Sequence, residues 1–280
     1  MITGATRIAG VIGDPVRHSL SPKLHNAAYH ALGLDWVFLA FEVPDGGARA
    51  ALDAARVLGF VGLSVTMPHK TAVAELCDEL SPGAAALRSV NTVVVSDGRT
   101  TGHSTDGDGF LRSLADADVE VEGRSVLLLG GGGAARAVAR ALAGAGAHVE
   151  VSARRAGAAA VAAGLANGGA VDWNDRAAAA AAADIVVNAT PLGMAGDPML
   201  PIPEHVLGPG RAVVDLVYEP LETPLLAAAR ARGAVAVSGL GMLVHQAARQ
   251  VELWSDRPAP IEAMQAAVKQ GADPEARTVD

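Results

Sequence analysis

Lys70, in the run GLSVTMPHK (62–70), and Asp106, in GHSTDGDGF (102–110), both precede a glycine loop, LLLGGGGAAR (127–136). An ammonium, a carboxylate and a phosphate cradle in one chain point to an enzyme. The loop fits GxGxxA: Gly130 permits the tight turn, Gly132 lets backbone N–H groups approach a pyrophosphate, and Ala135 allows close helix–strand packing. Gly131, Gly133 and Ala134 fill the same loop and are expected cofactor contacts. The loop follows one predicted strand and opens one predicted helix, so it reads as a dinucleotide site rather than a packing turn. An NAD site wants a carboxylate about 20 residues further on, for the ribose hydroxyls. The second strand ends instead in Ser152-Ala153-Arg154-Arg155, and two guanidiniums suit a 2′-phosphate, so NADP is the expected cofactor, although Arg155 alone reads equally as a solvated helix-start residue. Glu150 lies inside that strand, away from the ribose. Thr190, closing Asn188-Ala189-Thr190 at a later strand end, reads as a cofactor-side turn.

Lys70 taken singly would be an exposed lysine, but polar neighbours surround it in the chain. Thr66 precedes it, Asn91 follows the next helix and Asp106 ends the next predicted strand, so these groups could converge on one pocket. A lysine can exchange a proton with an alcohol when its surroundings lower its affinity for that proton. No metal is expected. Asp106-Gly107-Asp108-Gly109 resembles the start of a calcium loop, yet the twelfth position is Ala117 rather than Glu. His25 and His30 lie five apart, off a shared helix face, and His18, His69, His103 and His245 show no ligand spacing.

The elements that must position these residues alternate between strand and helix patterns, as in an α/β protein with mainly parallel strands. RIAGVIG (7–13), WVFLAFEV (36–43), VGLSVT (61–66) and NTVVVSDG (91–98) read as strands. SPKLHNAAYHALGL (21–34) reads as a helix with Ser21 as N-cap and Pro22 at its first position. A helix is expected from Asp106 to about Asp116, with DADVEVEGR (116–124) as a domain linker. SVLLLG (125–130), a helix over about 132–145 and AHVEVSA (147–153) form a strand–helix–strand unit, echoed by DIVVNAT (184–190) and RAVVDLVY (211–218). That is the doubly wound nucleotide-binding pattern. The Ala/Gly-rich segments 156–170 and 177–183 read as exposed helices. A helix over 239–254 and another near 260–270 close the chain, and GADPEARTVD (271–280) is expected to fray.

With 280 residues, two domains of roughly 100 to 150 residues each are expected. The mean hydropathy of +0.29 comes from Ala and Val, not from a membrane-spanning block, and the first residues lack a signal-peptide pattern. A cytoplasmic protein without a membrane partner is expected. A formal charge of −8 without any Lys/Arg cluster argues against a nucleic-acid surface. Cys77 is the only cysteine, which removes internal disulfides, and a buried structural thiol is its expected role.

Eight blocks, in order along nearly the whole chain, resemble shikimate dehydrogenases: GDPVRHSLSP (13–22), SVTMPHK (64–70), SVNT (89–92), STDG (104–107), GGGGAAR (130–136), NATPLGM (188–194), VDLVYEPLETPLL (214–226) and GLGMLVHQA (239–247). The resemblance implies an N-terminal α/β substrate domain over 1–104, completed by helices of 238–280 that pack back on it, and a Rossmann-like NADP domain over 105–237. It implies that Ser19 and Ser21 hold the substrate carboxylate with Tyr218 nearby, and that Thr66, Asn91 and Gln246 contact the substrate or its ring hydroxyls. Lys70 and Asp106 would be the catalytic pair, and Leu216 and Gly239 would touch the nicotinamide side. The activity implied is NADP-dependent interconversion of 3-dehydroshikimate and shikimate, by a monomer or homodimer. Two places depart from the family pattern: Ser104 replaces the Asn of NTDG, and the phosphate-clamping NRTxxR becomes Ala153-Arg154-Arg155-Ala156-Gly157-Ala158. The alternatives are a quinate/shikimate or aminoshikimate dehydrogenase with looser cofactor use and, in another class, a catalytically silent NADP-binding regulator. Retention of both Lys70 and Asp106 argues against the silent form.

Overall fold

The computed structural model describes residues 2–269, so the expected fraying of 271–280 lies outside the described residues. The chain divides into two compact units, one of residues 2–105 with 246–269 and one of Asp106–His245.

The first unit begins β1 (Arg7–Gly13), α1 (Ser21–Ala31), β2 (Trp36–Glu42), α2 (Ala48–Val57) and β3 (Gly62–Val65). It continues with α3 (Lys70–Leu76), β4 (Glu79–Leu80), α4 (Pro82–Leu87), β5 (Thr92–Ser96) and β6 (Arg99–His103). Its sheet runs β2-β1-β3-β5-β6-β4. The expected parallel character holds for β1 against β2 and β3, but β5 pairs antiparallel with both β3 and β6. For β5 against β6 the reason is local. Asp97 and Gly98 both take positive φ, which suits the two-residue turn of a tight hairpin and sends β6 straight back along β5. Inward residues such as Ile12, Leu63, Val65 and Val93 form the core with Leu52 and Ala55 of α2. Ser21 is not the N-cap of α1: Leu20 takes that place, Ser21 is already in the first turn, and no side chain caps the helix.

The second unit contains α5 (Asp106–Ala115), β7 (Ser125–Leu129), α6 (Gly133–Gly144), β8 (His148–Ser152), α7 (Ala156–Leu165) and β9 (Gly169–Val171). It adds α8 (Arg176–Ala182), β10 (Ile185–Asn188), β11 (Ala212–Asp215), α9 (Pro224–Ala231) and β12 (Val235–Ser238). Its sheet runs β12-β11-β10-β7-β8-β9 and every pairing is parallel. Strand order therefore reverses between β7 and β10, the switch point where such sheets bind ligands beyond the strands' carboxyl ends. Both faces are covered at the centre of the sheet, so β7, β10 and β11 read as near-continuous apolar runs, whereas β8 exposes His148 and Glu150. Val126 and Leu128 join one core with α6 and α7, while Leu127 and Leu129 join the other with α8 and α9.

Two expectations fail in this unit. The polar stretch 116–124 is no linker, because Val119 and Val121 pack on the core and the division falls earlier, after Thr105. The Ala-rich segments are not simply exposed helices: α7 buries Ala159, Ala162 and Ala163, α8 buries Ala180, and 169–171 is a strand. Small side chains let these helices lie close to the sheet, a packing role that composition alone does not reveal.

α10 (Gly239–Ser255) belongs to the second unit as far as His245 and to the first from Gln246, and α11 (Ile261–Lys269) follows. In the first unit α11 packs along α1, and Trp254 Nε1 donates to the Val93 carbonyl at 3.0 Å. Among the described residues no helix is long and apolar enough to cross a membrane.

Candidate active site

In the first unit, the chain leaves β3 at Val65 and turns through Thr66 before α3. The turn closes with the His69 N–H on the Thr66 carbonyl at 3.0 Å. His69 is buried, and its Nε2 carries the hydrogen given to the Val43 carbonyl at 2.8 Å, since a carbonyl only accepts. Lys70 is the first residue of α3, half-buried, and its own carbonyl accepts from the Val90 N–H at 2.9 Å. A side chain at a rigid helix start has little backbone freedom. Thr66 is half-buried beside Gly13, where any Cβ would collide with its methyl group.

Asn91 is 3% exposed and bonded at both amide atoms: Oδ1 accepts from the Thr105 N–H at 2.8 Å and the Thr92 hydroxyl at 2.9 Å, and Nδ2 donates to Thr105 Oγ1 at 2.9 Å. The Thr105 hydroxyl in turn donates to the Gln246 carbonyl at 3.1 Å. The structure thus joins Asn91 and Gln246, which lie 155 positions apart, through Thr105. Ser19 and Ser21 pair with each other, the Ser21 N–H donating to Ser19 Oγ at 3.2 Å. His25 gives its Nδ1 hydrogen to the Ser21 carbonyl at 2.8 Å; burial, outweighing that bond, lowers its pKa to about 4. Cys77 is only half-buried, and its burial pushes the thiol up to about 11.

Asp106 does not end a strand. β6 stops at His103, and Asp106 is a buried residue in the first turn of α5, where a negative side chain complements the positive end of the helix. It belongs to the second unit, as does Tyr218, half-buried just after β11. Burial, and then Glu219 beside it, raises the pKa of the Tyr218 hydroxyl.

The nucleotide cradle sits at the switch point. Gly130 has φ +124°, and a Cβ there would lie 2.7 Å from the Ala189 carbonyl oxygen of the loop after β10. At Gly131 a Cβ would meet the Ala158 backbone at 2.8 Å, whereas Gly132 faces open space. Gly132 is the N-cap of α6 and no side chain caps the helix, so the first-turn N–H groups of Gly133, Ala134 and Ala135 are left for a ligand. Ala135 itself is fully buried, as close helix–strand packing requires. Arg154 and Arg155 are exposed beyond the end of β8, Arg155 as N-cap of α7, and neither forms an ion pair among the described residues. These residues fit a phosphorylated dinucleotide: bare backbone for the pyrophosphate and two unneutralised guanidiniums for a further phosphate.

Across the crevice, the Thr190 hydroxyl and N–H both donate to Asn188 Oδ1, at 2.7 and 3.0 Å. Asn188 Nδ2 donates to buried Asp215 at 2.9 Å, and the Thr223 hydroxyl donates to the same carboxylate at 2.7 Å. Burial raises the pKa of Asp215 despite these donors. Leu216, next in the chain, has its carbonyl against Gly239, where a Cβ would collide with it. Nothing in the chemistry of the sequence singles out Asp215, Thr223 or Thr105, since their partners lie far along the chain. Among the described residues no group of three or more His, Cys, Asp or Glu is placed to hold a metal ion.

The model of the shikimate dehydrogenase substrate binding domain matches residues 11–93, and that of the shikimate 5'-dehydrogenase C-terminal domain matches 239–269. The NADP(+) shikimate dehydrogenase of Rubrobacter xylanophilus is 46% identical over 95% of this chain and 97% of its own. The shikimate 5-dehydrogenase of Thermus thermophilus, solved with NADP(H) and shikimate, superposes with a TM-score of 0.88 at 36% identity, covering 94% of this chain and 99% of that one. The quinate dehydrogenase of Corynebacterium glutamicum, solved with NAD, gives 0.89 at 35% identity, covering 95% and 99%. Identity of this extent over nearly the full length of both chains leaves one conclusion: the chain belongs to the shikimate dehydrogenase family.

Proposed function

We propose that this chain is an NADP-dependent shikimate dehydrogenase that interconverts 3-dehydroshikimate and shikimate. The observation that carries the reading is the pairing of two kinds of site in one chain. One unit holds a buried hydrogen-bonding network around Asn91 and Gln246, suited to ring hydroxyls, and the other holds the bare glycine cradle with Arg154 and Arg155 beyond it. Residues 2–105, completed by 246–269, are the substrate domain, and 106–245 the NADP domain.

Bound NADP supplies the hydride acceptor. As the alcohol of shikimate is oxidised, its hydroxyl proton must leave, and Lys70 Nζ takes it while the Asp106 carboxylate orients the hydroxyl and shares the proton. In the direction of reduction the protonated lysine returns it to the developing alkoxide. Ser19 and Ser21 hold the substrate carboxylate with Tyr218, while Thr66, Asn91 and Gln246 read the hydroxyls. Arg154, with Arg155, selects NADP by charge-assisted bonds to the 2′-phosphate. Leu216 and Gly239 line the nicotinamide side, and Thr190 belongs to a turn on the cofactor side. The protein works in the cytoplasm as a monomer or homodimer.

Similarity of fold does not separate shikimate from quinate as substrate, because a shikimate and a quinate dehydrogenase superpose about equally well. The test follows NAD(P)H formation by purified protein with shikimate and quinate, each crossed with NADP and NAD. Turnover confined to shikimate with NADP is expected; comparable rates with quinate or NAD would overturn the specificity, and no turnover with either acid would overturn the function.

A further inference from the structure

Gln250 is 1% exposed on α10, one turn beyond Gln246, and its side chain has four partners. The Ser64 hydroxyl donates to its Oε1 at 2.5 Å, and its Nε2, with two hydrogens to share, faces three acceptors: the Asn91 carbonyl at 3.3 Å, Thr92 Oγ1 at 3.0 Å and Gln246 Oε1 at 3.1 Å. The direction of this network follows from its fixed members. A backbone carbonyl only accepts, so Gln250 must turn its NH2 towards Asn91. Its Oε1 then faces Ser64, and the Gln246 atom beside its NH2 must be the oxygen.

We infer that Gln250 is a positioning residue: it fixes the carboxamide of Gln246 with Oε1 engaged, so that Gln246 meets a substrate hydroxyl as a donor through Nε2. The device also spares a buried amide from choosing between two orientations of similar energy, one of which would present the wrong polarity. Nothing in Gln250 itself contacts the ligand; its effect passes through Gln246, with Ser64 holding its far end. The inference rests on the reading of Gln246 as a substrate contact.

The test is a double-mutant cycle on the full chain, with Gln246→Ala, Gln250→Met and their combination measured for kcat and for KM of shikimate and NADP. Gln246→Ala and Gln250→Met should each raise the shikimate KM about tenfold, with NADP KM unchanged, as expected for one lost hydrogen bond to substrate. The double variant should be no worse than Gln246→Ala, because a residue acting through Gln246 has nothing left to act on. Gln250→Glu, of the same shape, guards against a folding defect. As a carboxylate it cannot donate to Gln246, so at a pH where it is ionised it should raise the shikimate KM as well while keeping a cooperative thermal transition. Multiplying effects in the cycle, or an unchanged shikimate KM in both Gln250 variants while Gln246→Ala raises it, would overturn the inference alone. An unchanged KM in Gln246→Ala would instead remove the substrate role of Gln246, and the inference with it.

Discussion

The two units solve recognition by opposite means. In the first, the surroundings of Asn91 and Gln246 are crowded with side chains whose donors and acceptors are already paired, so their orientation is set before any ligand arrives. In the second, the region from Gly130 to Gly132 is defined by what is missing: a Cβ would strike the Ala189 carbonyl at the first position and the Ala158 backbone at the second, and no side chain caps α6. A ring with several hydroxyls is told from its analogues by directional side-chain bonds, because an analogue leaves a buried group unpaired. A pyrophosphate is a symmetric charge that many N–H groups can share, so bare backbone at a helix start suffices.

This contrast can be broken experimentally, and the largest effect should come at Lys70. Lys70→Ala should lower kcat by a factor of about 10² or more with little change in cofactor affinity. An unchanged turnover number in steady-state assays would remove the lysine from the proton-transfer step. In the nucleotide unit, Arg154→Ala should weaken NADP by about tenfold while leaving NAD nearly unaffected, through loss of a charge-assisted contact. Equal weakening of both cofactors in a binding titration would mean that the arginine does not touch the 2′-phosphate.

Gly131→Ala sharpens the division between the units. Its new methyl would sit 2.8 Å from the Ala158 backbone, so the cradle or α7 must shift. The NADP KM should rise several-fold while the shikimate KM stays put; a shikimate KM that rises equally would show that the two sites do not respond separately.

The smallest effect is on stability and belongs to the first unit. His25 titrates near 4 in the folded chain and near 6.5 when unfolded, because burial penalises its charged form. Below pH 6.5 the unfolded chain therefore binds a proton that the folded chain refuses, and stability declines as pH falls towards 4. Thermal midpoints measured across that window should fall by a few degrees more for this protein than for His25→Gln. Parallel curves would show that His25 contributes nothing to the slope.

Much of the nucleotide unit is legible in the chain because its signals are local. GGGGAAR, the apolar strand before it and the arginines after the next strand lie within about thirty residues of one another, and local backbone geometry makes the site. Asp106 is recognisable by type but not by place: the pattern puts it at the end of a strand, whereas β6 stops at His103 and Asp106 starts α5. Gln250 carries a readable signal, since its i,i+4 spacing from Gln246 places both on one helix face, but that spacing has no chemistry until Ser64 and Asn91 arrive from elsewhere.

By itself the sequence determined the α/β alternation, the two-domain division of labour, the glycine cradle and, through its ordered motifs, the family. Only the tertiary structure decided that the first sheet is mixed, that the Ala-rich helices bury a face, and that Thr105 and Gln250 fix the polarity of the groups beside them. The physical reason is range: periodicity and turn chemistry act between near neighbours, whereas the direction of a buried hydrogen bond depends on a partner that folding alone brings into reach.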